Sequence, residues 1–227
     1  MNADDLMRMH VEALFTHDAR GDLLRVNEPN GAPAPRFFLG QTPAGLVLRF
    51  RGDVREETRQ ELAAAASLEI VNDLPTTPET YREILASTAP IENTWSGPAF
   101  SFPNTLPADD ESILITDANA HYLQAHLSGW LGEVHTCAPL MAVVVDGAAV
   151  AICGSVRATD RACEAGVETI PSSRGRGYAG QVVAAWARAI RAAGKTPLYS
   201  TSWHNDASRD VARKLGLTQF GTDLHIT

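Results

Sequence analysis

Short apolar blocks change period repeatedly along this chain, and the changes mark its elements. In the C-terminal half, "LMAVVVDGAAVAICGSVR" (140–157) reads as two strands joined through Asp146-Gly147, a strong short hairpin signal. "CEAGVETI" (163–170) follows as a strand closed by Pro171. A glycine turn then leads into a helix that places Val182, Val183, Trp186 and Ile190 on one face, stopped at Gly194. "TPLYSTSW" (196–203) predicts a strand, Asn205 a cap for a short helix with Ala207, Val211 and Leu215 on one face, and 217–227 a last strand. Residues 117–131 carry the pattern of an amphipathic helix.

The N-terminal half alternates hairpins and helices. Apolar runs on either side of D-A-R-G predict a hairpin over 11–27, and T-P-A-G centres another over 36–51. Asp53 with Glu56 has the spacing of a capping box for a helix over about 54–70. Thr77-Pro78 opens a second helix that ends near Ala89-Pro90. The proline- and acid-rich "FPNTLPADDES" (102–112) reads as a linker. Two parts are therefore expected, a smaller α+β part over 1–105 and an α/β domain over 113–227.

Composition narrows the function classes. The 227 residues are 44% apolar and 20% charged, ordinary for a globular chain. A net charge of −8 disfavours a general nucleic-acid or anionic-membrane binder and suits a cationic substrate such as an amine. Cys137, Cys153 and Cys163 are odd in number with no CxxC pair, so a reducing, cytoplasmic setting is expected. The opening "MNADDLMRMH" has neither a basic start nor a long apolar core, so no signal peptide is expected there. No run reaches the roughly 18 apolar residues of a membrane span.

The candidate chemistry lies in "SSRGRGYAGQVVAAWARAIRAAG" (172–194). Gly175 and Gly177 would weaken a helix interior by roughly 1 kcal/mol each, so their place before one calls for a reason. A strand, a small-residue turn and a helix N-terminus make an anion site, with free N–H groups and the helix dipole directed at the ligand. The nucleotide P-loop requires a lysine and a hydroxyl that do not follow Gly177. Gly175-x-Gly177-x-x-Gly180 has dinucleotide-fold spacing, but the next strand ends in Ser202-Trp203 without the acidic residue that fold uses.

"RGRGYA" (174–179) also matches (Q/R)-x-x-G-x-(G/A), with Arg174, Gly177 and Ala179 in the defined places. "NDASRDVARKLGL" (205–217) matches N-x-x-S-x-x-φ-x-x-x-φ-G-φ through Asn205, Ser208, Val211, Leu215, Gly216 and Leu217. In these motifs and their order, residues 113–227 resemble the GNAT superfamily of acyl-CoA-dependent N-acetyltransferases, in a bacterial branch with an extended N-terminal half. The resemblance implies a mixed, mainly antiparallel sheet flanked by helices. It implies a cytoplasmic enzyme moving an acetyl group from acetyl-CoA to a small primary amine by direct transfer in a ternary complex. An acyl-CoA sensor without turnover, or a transferase of a longer acyl group, stays open.

The same resemblance implies cofactor contacts from Val167, Thr169 and Ile170, from the turn Arg174, Gly175, Arg176, Gly177, Tyr178 and Ala179, and from Asn205 and Ser208. Glu164 and Glu168 share one strand face and are the candidates for the base, with Glu168 preferred. His135 is a further titratable candidate. The family's usual tyrosine position falls on Ala212, and Tyr178 and Tyr199 are no evident substitutes, which leaves the general acid unassigned. His121 and His126, five apart, diverge on a helix, so no metal is expected. Residues 1–105 would shape the acceptor side, act as a packing platform or form a homodimer surface.

Overall fold

A computed structural model describes residues 1–71, 77–108 and 111–227. The chain runs α1 (Ala3–Leu14), β1 (Phe15–His17), β2 (Leu23–Val26), β3 (Phe37–Thr42), β4 (Gly45–Phe50), α2 (Glu56–Val71), α3 (Pro78–Ala86), β5 (Thr94–Ser101) and β6 (Ser112–Ile115). After two 3-10 turns come β7 (Leu140–Val145), β8 (Ala148–Ala158), β9 (Ala162–Thr169), α4 (Tyr178–Ala192), β10 (Thr196–Ser200), α5 (Asp206–Lys214) and β11 (Thr218–Ile226). This is a mixed α+β chain built on mostly antiparallel sheet flanked by helices. No helix among the described residues is long and apolar enough to cross a membrane.

Two compact units divide the chain, and the first takes Met1–Ala99, Thr201–His204 and Gln219–Thr227. Its strands lie in the order β4-β3-β11-β5, with β3 antiparallel to both β4 and β11. Phe37, Leu39, Leu62, Tyr81, Leu85, Leu224 and Ile226 form its core with α2 and α3. The hairpin predicted over 11–27 is shorter than expected, because residues 3–14 form α1. Asn2 caps that helix by accepting from the Asp5 N–H at 2.8 Å, and Leu6, Met7, His10, Val11 and Leu14 turn inward. The helix after Asp53 also forms, but it begins at Glu56 and the Asp53 carboxylate binds Arg51 instead of capping.

The second unit takes Phe100–Ser200 and Asn205–Thr218, with strand order β10-β9-β8-β7-β6. The predicted hairpin turns at Asp146 and Gly147, both at positive φ (50° and 78°), as a tight primed turn requires. α4 covers one sheet face, where Val182, Val183, Trp186 and Ile190 are buried as expected. The Trp186 indole N–H donates to Ser155 Oγ at 3.0 Å, satisfying its polar atom inside that core. Two 3-10 turns, Ala120–Leu123 and Ser128–Glu133, cover the opposite face and correct the single helix predicted over 117–131. Leu123 and Leu127 are buried as the pattern requires, but Leu127 leaves helical geometry at ψ 34° and splits the segment. In the stretch read as a linker, Asp109 and Asp110 lie outside the described residues. Its start is tied down, since Arg191 donates to the carbonyls of Phe102 and Asn104.

Candidate functional site

The second unit opens where β9 and β10 part. β9 and β10 run parallel and pair only through Ala162–Glu164 with Thr196–Leu198. Beyond Glu164, β9 continues to Thr169 paired on its other edge alone, to β8. The Ile170 N–H donates to Val150 O at 3.0 Å. Alternation of the ladder therefore turns the backbone of Ile170 and Glu168 toward β8, and that of Val167 and Thr169 toward the parting. Of the strand-end residues proposed for a cofactor arm, Val167 and Thr169 offer backbone there, whereas the Ile170 amide is committed. Thr169 also holds a buried Oγ1 without a hydrogen-bond partner.

From Thr169 the chain passes through a 3-10 turn at Pro171–Ser173 into the glycine turn. The Arg174 N–H closes that 3-10 turn on Pro171 O at 3.3 Å, and its side chain donates to Thr169 O at 3.3 Å. The Arg174 amide, expected at the cofactor turn, is thus engaged within the chain. Gly175 (φ 77°) and Gly177 (φ 88°) are both left-handed, which an L side chain rarely adopts. A Cβ built on either meets no atom within 4 Å, so the space beside both Cα atoms is open. Gly177 is the N-cap of α4 and gives no side-chain cap. The first intrahelical bond comes at Gln181 N–H to Gly177 O, so the amides of Tyr178, Ala179 and Gly180 precede it. Arg174 and Arg176 flank the turn, and α4 carries no acid in its first turn.

α5 begins differently. Asn205 Oδ1 accepts the Ser208 N–H at 3.1 Å, and its exposed NH2 group stays available. Ser208 Oγ lies 2.6 Å from the Tyr199 hydroxyl, so this side chain is engaged within the protein. Burial pushes the Tyr199 phenol up to about 12. Ala212 packs in the core, and no hydroxyl is present at that position.

Glu164 and Glu168 do share a face of β9, the one away from α4. Glu164 is buried (2%) and accepts from Ser200 Oγ at 3.3 Å. Glu168 is exposed and accepts from the Trp130 indole N–H at 2.7 Å. His135 is exposed and lies 3.0 Å from Asp117, a surface pair. Burial raises the thiols of Cys153 and Cys163, and neither reads as a nucleophile, since the thiolate is the reactive form. Among the described residues no three His, Cys, Asp or Glu side chains gather as a metal would need. The Trp130 contact escaped the sequence reading, because nothing local links residues 38 positions apart.

These elements define a class. In comparisons with known proteins, the family model described as FR47-like protein matches residues 144–225, which hold β8, β9, the glycine turn, α4, β10 and α5. A Colwellia psychrerythraea acetyltransferase of the GNAT family superposes with TM-score 0.51 at 13% identity, covering 87% of this chain and 82% of that one. A GCN5-related N-acetyltransferase-like protein from Streptococcus suis 89/1591 gives 0.51 at 12% identity over 100% of both chains. A Novosphingobium aromaticivorans DSM 12444 protein assigned to the GNAT family gives 0.50 at 17% identity, covering 60% of this chain and less than two thirds (65%) of its own. No curated protein matches this sequence. The chain has a GNAT-superfamily N-acetyltransferase fold.

Proposed function

We propose that this protein transfers an acetyl group from acetyl-CoA to the primary amine of a small molecule, directly within a ternary complex. The observation that carries the reading is the entry to α4, with two left-handed glycines, open space beside them, an uncapped N-terminus and no acid in the first turn. Such an entry suits a pyrophosphate, which needs close approach to backbone donors and a favourable dipole. Gly175 to Ala179 would hold the pyrophosphate with Arg174 and Arg176 beside it. The turned-out backbone of Val167 and Thr169 would pair with the pantetheine arm, and the Asn205 NH2 would reach it.

The chemistry follows from what the chain supplies. An alkylamine is protonated near neutral pH and must lose a proton before it attacks. A carboxylate on the face of β9 away from α4, the exposed Glu168 first and the buried Glu164 second, takes that proton directly or through water. The amine nitrogen then bonds to the thioester carbon, a β9 N–H at the parting steadies the oxyanion, and the C–S bond breaks to release the thiolate, while the second proton of the nitrogen passes to water or to the departing sulfur. No acyl-enzyme is invoked, since the buried cysteines on β8 and β9 are poor nucleophiles. A cytoplasmic setting fits the three free thiols.

Calorimetric titration with acetyl-CoA, beside Gly177→Trp, tests the site. Binding by the wild type that disappears in a folded variant is the expected result, and no binding by the wild type would overturn it. A CoA-release assay with a panel of amines then separates transferase from sensor. Ala212, buried without a hydroxyl, is the observation that keeps the sensor reading in play. Binding with no release for any amine would establish that second reading.

A further inference from the structure

The proposed base does not stand alone, and its partner comes from a segment that no motif marks. Glu168 lies on β9 four residues past the last β9–β10 pairing, on the face away from α4, and is exposed. A free glutamate there would sample several rotamers, and an unrestrained carboxylate is a poor base because proton transfer needs hydrogen-bond reach and direction. The Trp130 indole N–H removes that freedom by donating to Glu168 Oε2 at 2.7 Å, the short end of the range for a bond to a charged acceptor.

Trp130 is itself held. It sits in the 3-10 turn Ser128–Glu133, half-buried against the cluster of Leu123, Leu127, Val134 and Leu140. Just beyond it the chain is pinned, because Cys137 N–H donates to Glu133 O at 2.8 Å and Cys137 O accepts from Ser155 N–H of β8 at 2.8 Å. An indole has one donor and no acceptor, so its bond direction is fixed once the ring is packed. The second carboxylate oxygen of Glu168 is left for an incoming proton.

We propose that Trp130 is a positioning residue, fixing Glu168 so that one carboxylate oxygen faces the acceptor amine. This rests on the transferase reading for its chemistry, but not for the bond itself. The bond is read without substrate. In protein labelled with 15N-tryptophan, the Trp130 indole resonance, assigned through Trp130→Phe, is expected to shift in Glu168→Gln while those of Trp95, Trp186 and Trp203 hold. An unmoved Trp130 resonance would overturn the proposal.

Activity supplies the second arm, using acetyl-CoA and the most active amine of the panel. Trp130→Phe is expected to lower kcat by roughly ten-fold while the KM for acetyl-CoA stays within about two-fold, as for a group acting only on the chemical step. Trp130→His, which restores a ring N–H donor, is expected to recover part of the loss. A kcat for Trp130→Phe equal to wild type overturns the positioning role although the transferase reading stands. A wild type that turns over no amine sinks the transferase reading and the catalytic role with it, and leaves the hydrogen bond to the NMR result.

Discussion

Two helices of the second unit begin within 30 residues of each other in sequence, and they treat the same physical problem in opposite ways. Every α-helix starts with N–H groups that lack intrahelical acceptors and with the positive end of its dipole. α5 answers from within, since Asn205 accepts the Ser208 N–H and Asp206 places an acid in the first turn. α1, α2 and α3 likewise carry acids there, at Asp4 and Asp5, at Glu56 and Glu57, and at Glu79. α4 has no side-chain cap and no first-turn acid, and arginines precede it. Forgoing a cap costs about 1 kcal/mol in a helix that could have had one. The contrast is what supports the proposal that α4, unlike α5, takes its anion from outside.

The strongest way to break the contrast is to give α4 what α5 has. Gly177→Asp supplies an acid at the N-cap and a negative charge where a phosphate would sit. We expect acetyl-CoA affinity to fall by at least about 100-fold, near 2.7 kcal/mol. Folding stability should change by no more than about 1–2 kcal/mol, because the strain at φ 88° opposes the gain from the cap. Titration calorimetry and thermal melting read the two effects separately. Unchanged affinity would make the turn a connection only.

Much of this contrast is legible in the sequence. Positive φ demands glycine, so Gly175 and Gly177 advertise the turn, and Asp146-Gly147 does the same for the β7–β8 hairpin. The buried face of α4 follows from spacing alone. Residues 117–131 misled because Leu123 and Leu127 have true helical spacing, yet Gly129 and Gly132 weaken a continuous helix and the segment breaks at Leu127. α1 was hidden by a hairpin reading that claimed its last turn, although Asn2 and the acids after it are ordinary start signals. The Trp130–Glu168 bond was beyond reach, since it depends on how the 3-10 segment docks on the sheet. Likewise, no periodicity reveals that Arg174 spends its amide on Pro171 or that Ile170 turns to β8.

In the first unit, α2 illustrates an anion drawn from the chain itself. Arg59, in its first turn, makes two bonds to the Asp22 carboxylate at 2.7 and 2.9 Å, and Asp22 is mostly buried. The Arg59 hydrogen bonds hold the Asp22 carboxyl below its ordinary range. A lowered folded pKa stabilises the fold fully above the unfolded value of about 3.9, and the contribution fades as pH falls through the folded value. Asp22→Asn is therefore expected to cost about 1–2 kcal/mol at pH 7 and less toward pH 3, read from denaturant melts at both. An equal cost at both pH values would remove the charge from the argument.

Asn205→Ala should cost about 1 kcal/mol of stability through the lost cap. If its NH2 group also touches the cofactor arm, acetyl-CoA affinity falls several-fold as well, an effect a pure cap would not produce. The same titration that reads Gly177→Asp reads this one.

Tyr199→Phe is the finest probe of how far α5 is closed upon itself. The Tyr199 hydroxyl lies 2.6 Å from Ser208 Oγ, and with its phenol pushed up to about 12 it stays neutral throughout the usual working range. The bond is thus neutral to neutral, and its loss should cost about 0.5–1.5 kcal/mol without dependence on pH between about 5 and 9. Because burial leaves Tyr199 only 1% exposed, its hydroxyl is expected to serve packing, with turnover and acetyl-CoA affinity within about three-fold of wild type. A far larger fall in kcat with affinity preserved would mean the opposite. The proton for the departing thiolate would then pass through the Tyr199–Ser208 pair, and α5, no less than α4, would be open to the reaction.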